Sequence, residues 1–181
     1  MGKQRCFVLI DGSNFYFKLK DLQLHHLLAF NFSAFAQMVS GKNIVSKGVY
    51  YVGAVRNDGT ERVQKMFNDQ RRLLAYLKKH HFSYSLGYLL KSDGRFHEKG
   101  VDVNMAVDML IATYENLCDR IILVTSDTDL LPAIKQSREK GKTVEYVGFS
   151  HAASLAMVAN CNESRLLKRE DLQPFIIVEK K

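Results

Sequence analysis

The sequence has few of the features that mark secreted, disulfide-rich or membrane-spanning proteins. Its three cysteines, Cys6, Cys118 and Cys161, are widely spaced, and no Cys-x-x-Cys pair occurs. Neither a zinc site nor a disulfide framework is therefore indicated. No apolar stretch approaches the ~20 residues that a membrane-spanning helix needs. The first residues lack the small-residue cleavage site of a secretory signal, so we expect a cytoplasmic protein with no membrane partner.

Proline is also scarce, and no linker, internal repeat or low-complexity segment interrupts the chain. The 181 residues are 46% hydrophobic and 25% charged, which is typical of a globular protein, and we expect one domain over residues 1–181. The 26 basic residues outnumber the 19 acidic ones and give a formal net charge of +7. This excess favours a polyanionic partner such as nucleic acid, although many soluble proteins are basic without binding one.

Short apolar runs alternate along the chain with longer segments of helical period. Strands are predicted at Arg5–Asp11, Gly48–Val55, Phe82–Leu90 and Asp119–Thr125, and helices at Ser33–Ser40, Glu61–His80 and Val101–Asn116. Ser33 is the expected N-cap of its helix, and residues 91–100 are predicted to form a polar loop. The alternation predicts an α/β fold with a mainly parallel sheet covered by helices on both faces.

Acidic residues stand where two of the predicted buried strands end. Asp11 follows the apolar run Cys6–Ile10, and both Asp127 and Asp129 follow the run Ile121–Val124. The carboxyl ends of parallel strands form the edge where open α/β sheets bind ligands, so we expect these carboxylates to share a pocket. Hard divalent cations such as Mg²⁺ require oxygen ligands, and a few carboxylates suffice because the ion keeps several waters.

Each of these acidic residues also has a purely structural interpretation. Asp11 and Gly12 form a common turn pair, in which the carboxylate bonds neighbouring backbone N–H groups. Asp129 or Thr128 is a sensible N-cap for a helix containing Pro132, because proline is tolerated in the first helical turn. Asp102 opens a predicted helix, where the dipole favours an acidic residue. The residues alone leave the metal-site and capping interpretations open.

The apolar face of the helix that Asp102 opens is predicted from three- and four-residue spacing. Its members are Val103, Ala106, Val107, Leu110 and Ile111. Asp102 opens this helix, and the predicted apolar face begins with Val103 and Ala106.

Four segments occur in a fairly specific order: Leu9–Asn14, Lys99–Asp102, Thr125–Pro132 and Lys140–Gly148. Together they resemble the motifs of the NYN domain, in the LabA-like (DUF88) branch of the PIN-like nuclease superfamily. The resemblance extends from Cys6 to Leu167. One position departs from the family pattern, because Leu130 stands where the family usually has phenylalanine.

The resemblance implies a fold, a cofactor and a reaction. The fold is a Rossmann-like three-layer α/β/α sandwich with a mainly parallel central sheet and an acidic cluster at its carboxyl edge. The reaction is hydrolysis of RNA phosphodiester bonds, with Mg²⁺ or Mn²⁺ as the cofactor. Carried over by position, the metal ligands are Asp11, Asp102, Asp127 and Asp129, and the catalytic set also includes Asn14 and Ser126.

Basic residues near these motifs are candidates for binding the RNA backbone, at Lys18, Lys91, Arg95 and Lys99. The run Phe15-Tyr16-Phe17 offers an aromatic ring for base stacking. The resemblance favours RNA over DNA, and the sequence leaves a homodimer open. Two other functions also stay open: a non-cleaving RNA-binding module of the same fold, or another Mg²⁺-dependent phosphoesterase. Phosphatases that use a nucleophilic Asp need a second Asp two residues on, where this chain has Ser13.

Overall fold

Within residues 2–92 and 95–177, which the computed structural model describes, seven strands form one sheet. In chain order they are β1 (Arg5–Asp11), β2 (Ile44–Ala54), β3 (Ser83–Ser92), β4 (Arg95–Lys99), β5 (Arg120–Val124), β6 (Thr143–Phe149) and β7 (Glu163–Leu167). The strand order in the sheet is β4-β3-β2-β1-β5-β6-β7, and all neighbours are parallel except β3 and β4. The predicted mainly parallel α/β fold is confirmed.

Helices cover both faces of this sheet. They are α1 (Gly12–Asp21), α2 (Phe32–Ser40), α3 (Glu61–Lys79), α4 (Val101–Tyr114), α5 (Leu131–Glu139), α6 (Leu155–Asn160) and α7 (Arg169–Leu172). Alternate residues of β1 face opposite sides. Val8 and Ile10 belong to a core shared with α1, α2 and α3, whereas Phe7 and Leu9 belong to a core shared with α4, α5 and α6. β1 is central in the sheet, so its sequence is a continuous apolar run.

A cluster of buried aromatic rings fixes α1 against the sheet. The ring of Phe15 packs edge-on against Phe30 at a centroid distance of 5.3 Å and lies 5.6 Å from the ring of Phe35. Each such pair contributes about 0.5–1.5 kcal/mol beyond the burial of its surface. Because Phe15 is fully buried in this cluster, its neighbours Asn14 and Phe17 are held at the carboxyl edge of the sheet.

The predicted polar loop over residues 91–100 is wrong. β3 continues to Ser92, and β4 runs antiparallel beside it, with Tyr88 opposite Lys99 and Ser92 opposite Arg95. β4 forms one edge of the sheet, and edge strands carry charged residues that discourage further strand pairing. A search for apolar runs therefore misses this strand. The side chains of residues 89–98 lie outside the described part of the chain.

The predicted N-cap of α2 is also wrong. The cap is Asn31, whose side chain accepts a hydrogen bond from the backbone N–H of Ala34 at 3.0 Å. Ser33 lies inside the helix, and its hydroxyl donates to the carbonyl oxygen of His80 at 2.7 Å. This bond joins α2 to the end of α3, a long-range contact that local capping rules do not contain.

α4 buries a different face from the predicted one. Its buried residues include Val101, Met105 and Met109, whereas Val103 and Val107 are exposed. The helix is apolar over most of its circumference, so hydrophobic spacing does not select one face. Packing on the sheet selects the face that carries Met105 and Met109, because flexible, unbranched side chains can fill an irregular surface.

No helix within the described residues is both long and apolar enough to cross a bilayer.

Candidate active site

The carboxyl ends of β1 and β5 are neighbours, so the polar residues that follow them meet. Ile10 pairs with Val124, which brings Asp11 and Thr125 side by side at the edge of the sheet. The Thr125 hydroxyl donates to Asp11 Oδ2 at 2.9 Å, and the backbone N–H of Asn14 donates to Asp11 Oδ1 at 3.0 Å. Asp11 is therefore the N-cap of α1, as the turn interpretation predicts, and these bonds hold its carboxylate at the edge.

Two further carboxylates approach Asp11 from different elements. Asp102 lies in the first turn of α4, and Asp127 follows β5. One carboxylate oxygen from each of the three residues lies within 4.8 Å of the others. They line a cleft of about 250 Å³, together with Ser13, Asn14, Phe17 and Val101. The structure therefore brings together three of the four predicted acidic residues and the predicted Asn14.

Two glycines allow the chain to place these carboxylates. A Cβ atom on Gly12 would lie 2.3 Å from the ring of Tyr50 and 2.7 Å from the carbonyl oxygen of Tyr51. Only glycine therefore permits the close passage of the chain beyond Asp11. Gly100 has φ +80°, a left-handed conformation that glycine adopts without strain. It turns the chain from β4 into α4, and this turn sets the position of Asp102.

Partial burial and neighbouring negative charges raise the pKa of Asp102. The main cause is partial burial, and the charges of Asp127, Asp11 and Asp129 add to it. Both effects disfavour the ionised carboxylate. A positive charge in the cleft would oppose both, which is the electrostatic condition of a cation site.

Asp127 and Asp129 differ in their surroundings. The Asp127 carboxylate accepts a hydrogen bond from the backbone N–H of Asp129 at 2.9 Å, and its own N–H donates to Thr125 Oγ1 at 3.1 Å. Asp127 thus caps the short 3₁₀ turn before α5, a role that the sequence interpretation gave to Asp129 or Thr128. Asp129 is exposed and lies outside the group of three carboxylates.

Asn14 and Ser126, the two uncharged residues of the predicted catalytic set, differ from each other in their position relative to the cleft. Asn14 lines the cleft, and its side-chain Oδ1 is buried without a hydrogen-bond partner among the described residues. Ser126 lies 3.0 Å from the hydroxyl of Tyr146, which accepts a hydrogen bond from the backbone N–H of Ser154. The described residues that line the cleft do not include Ser126.

The four residues predicted to bind RNA lie on α1 and on the hairpin of β3 and β4. Lys18 is half-buried on α1, and Lys99 is exposed at the end of β4, close in the chain to Asp102. The backbones of Lys91 and Arg95 belong to β3 and β4, but their side chains lie outside the described part of the structure.

The donor set fits a divalent cation of the Mg²⁺ or Mn²⁺ type. Mg²⁺ holds oxygen ligands at about 2.0–2.1 Å, so ligands on opposite sides lie about 4.2 Å apart. The carboxylate oxygens of Asp11, Asp102 and Asp127 lie within 4.8 Å of one another, which is close to that span. The unpaired buried oxygen of Asn14 is a further hard donor beside them.

Sequence reasoning missed two residues of the site. Thr125 orients both Asp11 and Asp127, and the register of β1 with β5 is the signal that could have revealed it. Ser13 lines the cleft from α1 together with Phe17, one of the three aromatic residues that the sequence offered for base stacking. Which residues of α1 face the cleft depends on the direction in which the helix leaves the sheet, and the sequence pattern does not contain that direction.

The fold and the site together define a class of protein: an α/β protein with a mainly parallel sheet and acidic residues clustered at the carboxyl edge of that sheet. The family model of the NYN domain matches residues 5–167. The chain belongs to the NYN domain family, which has a nuclease-type, PIN-like fold.

Two proteins that are similar to this chain have no described activity. The crystal structure of a protein of unknown function from Vibrio parahaemolyticus has a TM-score of 0.66 and 21% sequence identity, covering 91% of this chain and 93% of that chain. This likeness shows the fold alone. An uncharacterized protein of Methanocaldococcus jannaschii is 37% identical over 92 residues, which make up 45% of this chain and 38% of that protein. The match thus spans well under half of that relative's length.

Proposed function

We propose that this protein is a Mg²⁺- or Mn²⁺-dependent ribonuclease that hydrolyses phosphodiester bonds at the acidic cleft. The observation that carries the proposal is the convergence of Asp11, Asp102 and Asp127 within 4.8 Å in a chain that belongs to the NYN family. Such a cluster has little structural benefit, because its members repel one another. Its chemistry matches that of a cation bound to oxygen ligands.

The residues of the cleft have different roles in the proposed reaction. Asp11, Asp102 and Asp127 would hold the cation, with Asp129 adding negative charge from outside the closest group. When bound, the cation supplies Lewis-acid stabilisation of the phosphate and lowers the pKa of a water. Thr125 keeps Asp11 and Asp127 in position, and Asn14 Oδ1 is an acceptor that can orient a water for attack.

The remaining parts of the proposal concern the substrate and the state of the protein. We take RNA rather than DNA as the substrate, with Lys18, Lys91, Arg95 and Lys99 along its backbone, and products with 5′-phosphate and 3′-hydroxyl ends. The net charge of +7 supports a polyanionic ligand.

We also propose one domain over residues 1–181 and a cytoplasmic location. A homodimer would bury the exposed apolar residues of α4, and the mass in solution tests it.

The first test is cleavage of labelled single-stranded and hairpin RNA by the purified protein in Mg²⁺, Mn²⁺ or EDTA. Asp127→Asn removes a carboxylate from the cluster with almost no change in volume, and we expect cleavage to disappear while the fold and RNA binding remain. Asp21→Asn is the matched control, because Asp21 is an exposed aspartate at the end of α1 and does not line the cleft.

Metal-dependent cleavage by the parent and by Asp21→Asn, but not by Asp127→Asn, establishes the proposed activity. Full cleavage by the purified Asp127→Asn protein would overturn the site. RNA binding without cleavage in any metal would point to the non-cleaving module. Hydrolysis of a small phosphodiester but not of RNA would point to a different phosphoesterase.

A further inference from the structure

A second, larger cavity of about 650 Å³ adjoins the acidic cleft. The two share Ser13 and Phe17 in their linings, so they are neighbours along α1. The second cavity is mainly apolar and lies between α1, β2 and α3, with Tyr16, His25, Met66 and Leu73 among its lining residues. Its volume falls in the range of about 300–1,000 Å³ that is usual for small-molecule sites.

Aromatic rings form the wall nearest to the acidic cleft. Phe17 and Tyr16 pack edge to face at a centroid distance of 5.5 Å, and Tyr16 packs at right angles against His25 at 5.9 Å. Phe17 is 58% exposed, although a ring of this size is normally covered. An exposed ring between an apolar cavity and a phosphate-binding cleft is suited to stacking on a nucleobase.

The lining of the cavity also includes polar groups, and an apolar ligand could not form hydrogen bonds with them. His25 Nδ1 is buried and has no hydrogen-bond partner among the described residues. Asp69, an exposed residue whose carboxylate lies 3.8 Å from Arg72, also belongs to the cavity lining. Unpaired buried nitrogen atoms are rare in folded proteins. A nucleobase combines an aromatic face with hydrogen-bonding edges, and its attached phosphate would reach towards the neighbouring cleft.

We infer that this cavity binds the base of the nucleotide next to the scissile phosphate. The inference rests on the proposed RNA substrate of the acidic cleft and adds a second subsite to it. Phe17 stacks on the base at the boundary of the two sites, Tyr16 supports the Phe17 ring, and the α3 side chains form the opposite wall. Phosphates then position the strand, and the cavity selects single-stranded segments whose bases can turn outwards.

The test measures binding and therefore does not depend on cleavage. The Asp127→Asn protein is titrated in Mg²⁺ with a short fluorescent single-stranded RNA and with an abasic ribose-phosphate strand of the same length. Phe17→Ala in this background should weaken binding of the base-bearing strand about tenfold, since stacking on one ring has roughly that effect, and leave the abasic strand unchanged. Phe17→Trp should restore binding.

Tyr114→Ala is the matched control, because Tyr114 is an aromatic residue of nearly equal exposure, 59% against 58% for Phe17, at the far end of α4. It should bind both strands as the parent does, and thermal unfolding of every variant shows that all are folded. A loss confined to the base-bearing strand supports the subsite even when the wild-type protein cleaves no RNA. Equal affinity of Phe17→Ala and its parent for both strands would overturn the subsite and leave the nuclease proposal intact.

Discussion

Asp102→Asn tests whether the clustered carboxylates repel one another when no cation is bound. Asp102 shares the cleft with Asp11 and Asp127 at separations within 4.8 Å, and these charges add to the burial that raises its pKa. Asparagine has nearly the same volume but no charge. Because the unfolded chain separates the three carboxylates, their repulsion destabilises only the folded state. We therefore expect the metal-free variant to be more stable than its parent at neutral pH.

The magnitude follows from the distances. Two unit charges 4.8 Å apart repel by about 0.9 kcal/mol at the dielectric constant of water and by about 3.5 kcal/mol at an effective value of 20. Asp102 faces two such charges, so their combined repulsion at the dielectric constant of water is about 2 kcal/mol. The variant loses the favourable interaction of a first-turn carboxylate with the dipole of α4, which is about 0.3–1 kcal/mol. Repulsion is larger, and the net gain of about 1 kcal/mol or more corresponds to about 2–4 °C in Tm per kcal/mol.

Thermal unfolding of both proteins in EDTA and in excess Mg²⁺ is the assay. In EDTA the variant should melt higher, and 1 M NaCl should reduce the difference because the Debye length shrinks to about 3 Å. In Mg²⁺ the order should reverse, since the parent keeps all three carboxylates and gains more from binding. Asp21→Asn should match the parent in both buffers. A variant that melts at or below the parent in EDTA would refute the repulsion and the cluster geometry derived from it.

Two further predictions concern the framework around the site. Gly12→Ala introduces a methyl group 2.3 Å from the ring of Tyr50, so denaturant unfolding should show a loss of at least about 1–3 kcal/mol, and an unchanged midpoint would contradict the close approach. Asp119 accepts bonds from the side chain and backbone of Arg5, which lower its pKa to about 2. Its contribution to stability is therefore complete above pH ~4 and is lost as the pH falls through about 2. Asp119→Asn should be less stable than the parent at pH 6, and a difference in stability as large at pH 2 as at pH 6 would contradict this assignment.

The central strands and the strand-end carboxylates could be predicted because local chemistry dictates them. β1 and β5 are buried on both faces, so their sequences contain unbroken apolar runs; Asp11 is the last residue of β1, and Asp127 comes three residues after the end of β5. The chain order of the motifs then led to the NYN family, which the family model confirms. Each of these inferences needs only a short window of sequence.

The elements that were missed depend on contacts between distant residues. β4 is charged because it is an edge strand, and its pairing with β3 does not appear in any apolar pattern. The face of α4 is set by the sheet beneath it, not by its own spacing. The cavity behind Phe17 combines residues of α1, β2 and α3 that are far apart in the chain.

The position of Asp102 depends both on the local sequence and on contacts between residues that are distant in the chain. Of the three clustered carboxylates, it is the one that does not follow a parallel strand, so the rule for sheet edges does not place it. Its position depends on the left-handed turn at Gly100 and on the antiparallel strand that leads into that turn. A Cβ atom on Gly87 would lie 2.6 Å from Val101 and 2.7 Å from the carbonyl oxygen of Lys99, so β3 approaches this turn closely. The strand that sequence reasoning took for a loop is thus part of the framework that brings the third carboxylate to the other two.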